Sequence, residues 1–577
     1  MPPTFSQGVV RSTSADRATD TGHVPFARTE FAIGLIVFGL FCVFSMAARF
    51  TVPYRDDWDW LNAMLVAPVS WQWLFAPHNE HVIPFARLMH LLQYRVEGGQ
   101  GVTLFLMAVA SQVAIGAVYW REVGLAWTGE WRLFLTGLVT TILFSTFQLQ
   151  SIVFPAAILF PLVQLFGLLA TVAILNAHDD PARSGAWTLA AMLAILGAIV
   201  STTNGFSVPI VVGLVALRQQ KRPGLVVGCM AVAILCGVGY AVHVGVPWHH
   251  EPSPAGQQWG APPLWALTAY FMTFYASALA YANTTAAMVV GTVLFVIAVF
   301  AVARTVLDGR AAPRIEWFAA AVMLFAFASD AMASVGRAQF GAIQAAQSRY
   351  GTFAFAFHAA LALWISSHVQ RQGYRSALRS AAVPIVAASL ALIPANAFVG
   401  IVWKAKADNI AAAGLAVSVG VVDDEWVATL HPLTNVVYEA SRRLAAVQDS
   451  VASDKKIGHA VEQPSSMVCA SGALEMTTIP SGFDWRVSGS LVPGATAGLV
   501  VDESGTIVGR LRGAPLVTKP NPTEPEVVSL VVDAYRHGKR ASGFLGFARR
   551  GSGPPYVVYP TDAGQRPMCR LDVVSGR

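Results

Sequence analysis

Charge is what this chain has least of. Asp, Glu, Lys and Arg make up 12% of its residues, against a hydrophobic share of 55% and a mean hydropathy of +0.53 over 577 residues. So apolar a chain of this length is not a soluble enzyme. Nucleic-acid motifs are also missing. The formal net charge of +6 comes mostly from Lys and Arg in short loops, so it reports topology and not a nucleic-acid partner. No internal repeat is visible. Residues 1–28 are polar and rich in Ser and Thr, with no apolar stretch of the kind a cleaved signal carries. They read as a disordered cytoplasmic tail, and the run 31–50 then acts as an uncleaved signal anchor. Cysteine is sparse, with five in all. Cys42, Cys229 and Cys236 fall inside apolar runs and read as packing residues.

What is present in quantity is apolar sequence. Runs near the ~20 residues that cross a hydrocarbon core occur at 31–50, 101–120, 131–147, 152–176, 186–203, 205–219, 224–245, 284–304, 315–333, 350–368 and 380–402. The expected fold class is a polytopic α-helical membrane protein of about eleven transmembrane helices. The aromatic run 264–282 is ambiguous. If it crosses, Arg304, Arg310, Arg314, Arg371, Arg375 and Arg379 all leave the side occupied by Arg121, Arg132 and Arg183. If it does not, they join that side, as the positive-inside rule prefers. It is therefore read as re-entrant or interfacial. The expected localisation is a bacterial inner membrane, with the N-terminus inside and the C-terminal region outside.

Beyond about residue 404 the composition changes. Residues 404–465 read as a helical linker, with Asp423, Asp424 and Glu425 opening a helix. Residues 466–577 alternate in short runs split by Gly, Pro and Asp, the pattern of a small β-sandwich. Trp485, Tyr535, Phe544 and Phe547 are candidates for a sugar-binding surface or, more simply, for its core. Cys469 and Cys569 bracket this region. Outside the cytoplasm they can form a disulfide that closes a loop of about 100 residues and stabilises by roughly 4–5 kcal/mol in the chain-entropy model.

The residues able to carry chemistry gather at one expected membrane face. Just after the first span come Tyr54, Arg55, Asp56, Asp57, Trp58, Asp59 and Trp60, then His78, Asn79, Glu80, His81 and Arg87. A carboxylate at Asp56 or Asp57 can take a proton from an attacking hydroxyl while its neighbour orients it or binds a metal; the plainer reading is a solvated pair at a helix end. His78 and His81, at i, i+3, can share a helix face and hold a divalent ion with a carboxylate, or contact phosphate. Arg87, Arg337 and Arg349 suit an acid or a phosphate. Snorkelling, or pairing with the intramembrane Asp330, competes with that role. Gln148 and Asn204 can read sugar hydroxyls, though Asn204-Gly205 is also a turn signal.

Taken in order, Tyr-Arg-Asp-Asp-Trp at 54–58, His-Asn-Glu-His-Val-Ile-Pro at 78–84, Gly336-Arg337 and Ser348-Arg349-Tyr350 resemble the GT-C class of integral-membrane glycosyltransferases, in a largely uncharacterised bacterial branch. The resemblance covers about residues 30–440. It implies a GT-C-like transmembrane domain over 29–403 and a polyprenyl-phosphate sugar as donor. The acceptor would be a glycan, a lipid or a protein. Asp56 would activate the acceptor with Asp57 as partner or rival. In the favoured hypothesis the donor phosphate sits against Arg337, Arg349 and His81, with Tyr350 among the substrate-binding residues. No cofactor is certain; a divalent metal stays open. Two rivals remain, a transporter or flippase for lipid-linked sugars and a non-catalytic scaffold of envelope assembly.

Overall fold

A computed structural model describes residues 23–66, 69–76, 82–219, 223–244, 262–277, 283–445, 451, 454–462, 465–480, 484–513, 543–551 and 554–575. Among them, eight helical stretches are long and apolar enough to cross a membrane: Ala27–Ala47, Val102–Ala126, Pro155–Asp179, Pro181–Ser201, Thr284–Ala311, Arg314–Phe340, Ser348–Arg371 and Arg375–Val419. The other three expected spans form the helices Gly129–Leu143, Ser207–Gln219 and Pro223–Val244. The first two are 15 and 13 residues long, about 20 Å at 1.5 Å per residue and shorter than a hydrocarbon core.

Helices pack here by close approach of small residues, since lipid offers no hydrophobic reward for burying apolar surface. A Cβ on Gly137 would lie 2.5 Å from Glu30 O, and one on Gly34 would lie 2.7 Å from Gly137 O. The backbones of Ala27–Ala47 and Gly129–Leu143 therefore touch. Polar groups add specific ties. Ser389 Oγ donates to the buried Glu30 at 2.9 Å, and Asn396 Oδ1 accepts from the Thr146 N–H at 2.6 Å.

One long bundle results, with two chemically distinct ends. Arg314, Glu122, Asp179, Asn176 and Arg121 meet at one end, and Arg371, Asp308, Glu316 and Arg304 lie there too. Arg337 closes the same helix that Arg314 opens, which puts it about 35 Å away. The short helix Leu264–Phe274 stays at the Arg337 end, packed against residues 342–346, with Phe274 6.3 Å from Tyr350. The preceding helix Pro223–Val244 also finishes there, where His243 Nε2 reaches Phe75 O at 3.0 Å. The following helix Thr284–Asp308 leaves from there and ends at Asp308 beside Arg371. Within the described residues, the 264–274 helix does not run from end to end, so Arg304, Arg314 and Arg371 fall together.

The expected boundary at 404 lies inside a helix. Arg375–Val419 is continuous over 45 residues, about 68 Å, twice what a membrane needs. It carries the chain out to two short helices, Asp424–Val427 and Thr434–Leu444. Asp423 opens the first by accepting the Trp426 N–H at 3.3 Å.

The β-sandwich expectation is corrected to a single eight-stranded sheet, ordered β7-β6-β3-β4-β5-β2-β1-β8. The strands are β1 Ala473–Thr478, β2 Trp485–Ser490, β3 Ala497–Val501, β4 Ile507–Gly513, β5 Phe544–Ala548, β6 Val557–Thr561, β7 Leu571–Asp572 and β8 Val574–Ser575. The two edge strands are separated in sequence only by Val573, so the sheet curls until its edges meet, like a barrel. Alternation showed one face buried; it could not show whether that face meets a second sheet or its own far side. Leu474, Met476, Val487, Val500, Leu511 and Val558 fill the interior. Cys469 and Cys569 form a disulfide. The candidate sugar-surface aromatics are packed: Phe547 is fully buried on the outer face of the sheet against Trp426, while Trp485 packs on Tyr556 and Phe544 lies against the barrel interior. Tyr535 lies outside the described residues.

Candidate functional site

The first helix ends at Ala47, and the chain turns into a second, Asp56–Val66. Three acids in its first turn, Asp56, Asp57 and Asp59, suit the positive end of the helix dipole. Asp57 Oδ2 accepts the Tyr54 N–H at 3.1 Å, and the Asp57 N–H donates to Tyr54 O at 3.2 Å. This reciprocal pair fixes where the helix starts.

Adjacent helical residues point about 100° apart, whereas i and i+4 share a face. The two acids therefore separate. Asp57 turns inward, 1% exposed, with Oδ1 3.5 Å from Nε2 of the equally buried His90. Burial pushes its carboxyl well above the usual carboxylate range. The Tyr54 and Ala156 backbone hydrogen bonds oppose that rise, while the charges of Asp56 and Asp59 add to it. Asp56 instead faces a cleft beside Trp60, its i+4 neighbour.

The cleft is narrow, with about 40 Å³ of room for water-sized groups, and Phe160, Arg337, Arg349 and Tyr350 are among its other walls. Arg337 and Arg349 come from the ends of different helices and sit over the rings of Phe340 and Tyr350, at 5.9 and 5.4 Å. Arg349 Nε is buried with no hydrogen-bond partner. Its backbone is braced: Gln150 Oε1 accepts the Arg349 N–H at 3.2 Å, and Ser151 Oγ donates to Arg349 O at 2.8 Å. Among the described residues, its lining includes the Arg337 and Arg349 guanidinium groups and the Asp56 carboxylate beside aromatic walls. A guanidinium can bind an anion, and a carboxylate can accept a proton.

The structure thus brings Asp56, Arg337, Arg349 and Tyr350 together from the sequence set. Other members go elsewhere. Arg87 is buried under the short helix Trp71–Phe75, donating to Trp73 O with its guanidinium 5.5 Å from the Trp73 ring. Gln148 is fully buried and donates to Leu143 O. Asn204 lies in the turn Thr203–Phe206, where its carbonyl accepts Ser207 Oγ at 2.7 Å. None of the three is among the cleft-lining residues. Asp330 is fully buried in its helix with Ser334 Oγ 3.5 Å from Oδ1; no ion pair to Arg337 or Arg349 is seen among the described residues. His78, Asn79, Glu80 and His81 lie outside the described residues. Among those that are described, no group of three or more His, Cys, Asp or Glu stands ready to hold a metal.

Sequence reasoning missed His90, which carries no local motif. Its one signal is register, three residues past Arg87 on an amphipathic helix, Pro84–Glu97. It also missed Gln150 as a brace for Arg349. No family model matches this sequence, and neither the curated proteins nor the solved structures hold a match to it.

Proposed function

We propose that the protein is a membrane glycosyltransferase that moves a sugar from a polyprenyl-phosphate donor to a hydroxyl-bearing glycan, lipid or protein at the outer face of a bacterial inner membrane. The observation that carries this reading is the cleft itself, in which one outward carboxylate, Asp56, lies with two arginines and aromatic walls at one end of an apolar bundle. Two features favour the outer face. The arginines at the opposite bundle end match the cytoplasmic excess of positive charge. The C-terminal barrel, which joins the cleft end through the long last helix, carries a disulfide, as proteins in oxidising compartments do.

In the proposed reaction, Arg337 and Arg349 bind the donor phosphate. Asp56 accepts the proton of the acceptor hydroxyl as its oxygen attacks the anomeric carbon. The bond from that carbon to the phosphate oxygen breaks, and the electron pair leaves on the lipid phosphate. The arginines stabilise this growing charge. One displacement inverts the anomeric configuration. Asp57, buried behind Asp56, holds the helix start and does not touch substrate.

The test is sugar transfer in membranes from a panel of radiolabelled polyprenyl-phosphate sugars, with wild type against Asp56→Asn and Asp57→Asn. Transfer lost in Asp56→Asn alone supports the proposal. Transfer unchanged in Asp56→Asn refutes the mechanism.

A further inference from the structure

Asp56 is aimed by a residue in an unusual conformation. Arg55, immediately before it, has a φ of 52°, the left-handed region that a side chain disfavours and that persists only where surrounding structure holds it. The hold comes from far along the chain. The Arg55 N–H donates to Leu430 O at 2.7 Å. One residue on, His431 Nε2 faces Asp59 Oδ2 at 3.3 Å. Further on, Arg443 Nη1 donates to Asn62 Oδ1 at 2.6 Å.

These contacts grip one flank of the helix Asp56–Val66. At 100° per residue, Asp56 and Trp60 face the cleft, while Asp57, Trp58 and Leu61 turn into the protein. Asp59 and Asn62 lie on the remaining side, about 60° and 120° from Asp56. His431 is itself oriented, because its Nδ1 lies 3.1 Å from both the N–H and the carbonyl of Leu433, which turns Nε2 toward Asp59. The gripping segment is anchored beyond the cleft. Arg486 on β2 bonds Asp423 through two nitrogens at 2.6 and 2.7 Å and reaches Glu425 at 2.7 Å. Trp426 meets Phe547 on β5 edge to face.

We infer that residues 423–443 form a strap that sets the aim of Asp56, with His431 as a positioning residue of the cleft and the barrel as the strap's anchor. The strap stands on geometry alone, and its effect on turnover rests on the glycosyltransferase reading. A rigid helix start puts one carboxylate oxygen where an acceptor proton will be, and small misplacements of a base cost rate and not binding. The barrel then has a second task besides any acceptor it meets, because its seat on Asp423 and Trp426 is passed to Arg55 through one short segment.

The experiment is hydrogen–deuterium exchange on the full chain in lipid nanodiscs, paired with the transfer assay. His431→Ala is expected to speed exchange of the amides over 56–62 by about threefold, the loss of one partly screened hydrogen bond. The barrel strands and the arginine-rich bundle end keep wild-type exchange. His431→Gln, whose amide can still donate to Asp59, restores slow exchange. In transfer, His431→Ala lowers kcat by about tenfold with KM within about twofold. Asp59→Asn reads the same contact from its other side should His431→Ala fail to assemble. Wild-type exchange in both variants overturns the strap. Faster exchange in a protein whose wild type transfers from no donor keeps the strap and counts against the glycosyltransferase reading alone.

Discussion

The two ends of the bundle use the same side chains to opposite effect. At one end, Arg314 meets the fully buried Glu122 at 2.8 and 3.0 Å, and Arg371 meets the fully buried Glu316 at 3.0 Å and Asp308 at 2.6 Å. Each buried carboxylate there has a guanidinium. At the other end, Arg337 and Arg349 lie over aromatic rings in a cleft with Asp56, and the neighbouring acid, Asp57, is turned away from them. Matched charges tie helices together. At the cleft end the guanidinium groups lie against aromatic rings, and there the proposed function places the donor phosphate.

If that contrast is right, substitutions at the two ends separate turnover from stability. The largest effect is expected for Asp56→Asn, which should cut transfer by about 10²–10⁴, the usual contribution of a positioned base, with the melting temperature unchanged. Asp57→Asn should keep transfer within a few-fold. The sign of its stability effect follows from its raised folded pKa. The folded state favours the protonated form, so the Asp57 contribution falls as pH rises above the unfolded value of 3.8 through the folded one. Asn removes that loss, and thermal melts at neutral pH should find the variant at least as stable as wild type.

The clasp is weakened by Arg314→Met, which leaves the buried Glu122 with Arg121 alone. About 1–3 kcal/mol of stability should go, seen as a lower melting temperature, while transfer per folded molecule stays at the wild-type level. A transfer loss with full stability would erase the distinction between the ends. Next in size is Arg349→Lys. A lysine keeps the charge but not the planar fork, so KM for the donor should rise by about tenfold, one strong hydrogen bond's worth.

The smallest expected effect lies at the strap. Burial works to lower the His431 pKa, but the hydrogen bond and charge of Asp59 outweigh it and the net shift is upward. Its contribution is fully present below the unfolded value of about 6.5 and is lost as pH rises through the higher folded value. Asp59 is 39% exposed, so solvent screening keeps the contribution below about 1 kcal/mol. Melts of wild type against His431→Gln should differ at pH 5.5 and converge by about pH 8.5.

Much of the arrangement was legible before any coordinates. Hydropathy located the long apolar helices, because spanning lipid forces a minimum apolar length on the chain. Arginine placement pointed to a 264–282 segment that stays at one end, and the helix Leu264–Phe274 does so. The acids at 423–425 announced a helix start through their affinity for unpaired N–H groups. Gln148, Asn204 and Arg87 are polar and near the cleft end, yet none lines the cleft. Polarity in an apolar chain marks a group that needs a partner, and Gln148 and Arg87 found theirs in the backbone carbonyls of Leu143 and Trp73. The rolled sheet escaped notice for a related reason, since alternation records only that one face is dry.

What the sequence by itself determined is the apolar bundle, the polar cluster at one of its ends and the change of character beyond residue 404. Those follow from composition and local period, which act over a few turns of chain. Only the tertiary structure decided that Asp56 rather than Asp57 faces the cleft, that Arg337 and Arg349 join it there, and that Leu430 and His431 return to hold Arg55. These depend on which face of a helix a distant segment covers, and packing between residues hundreds of positions apart leaves no periodic trace in the chain.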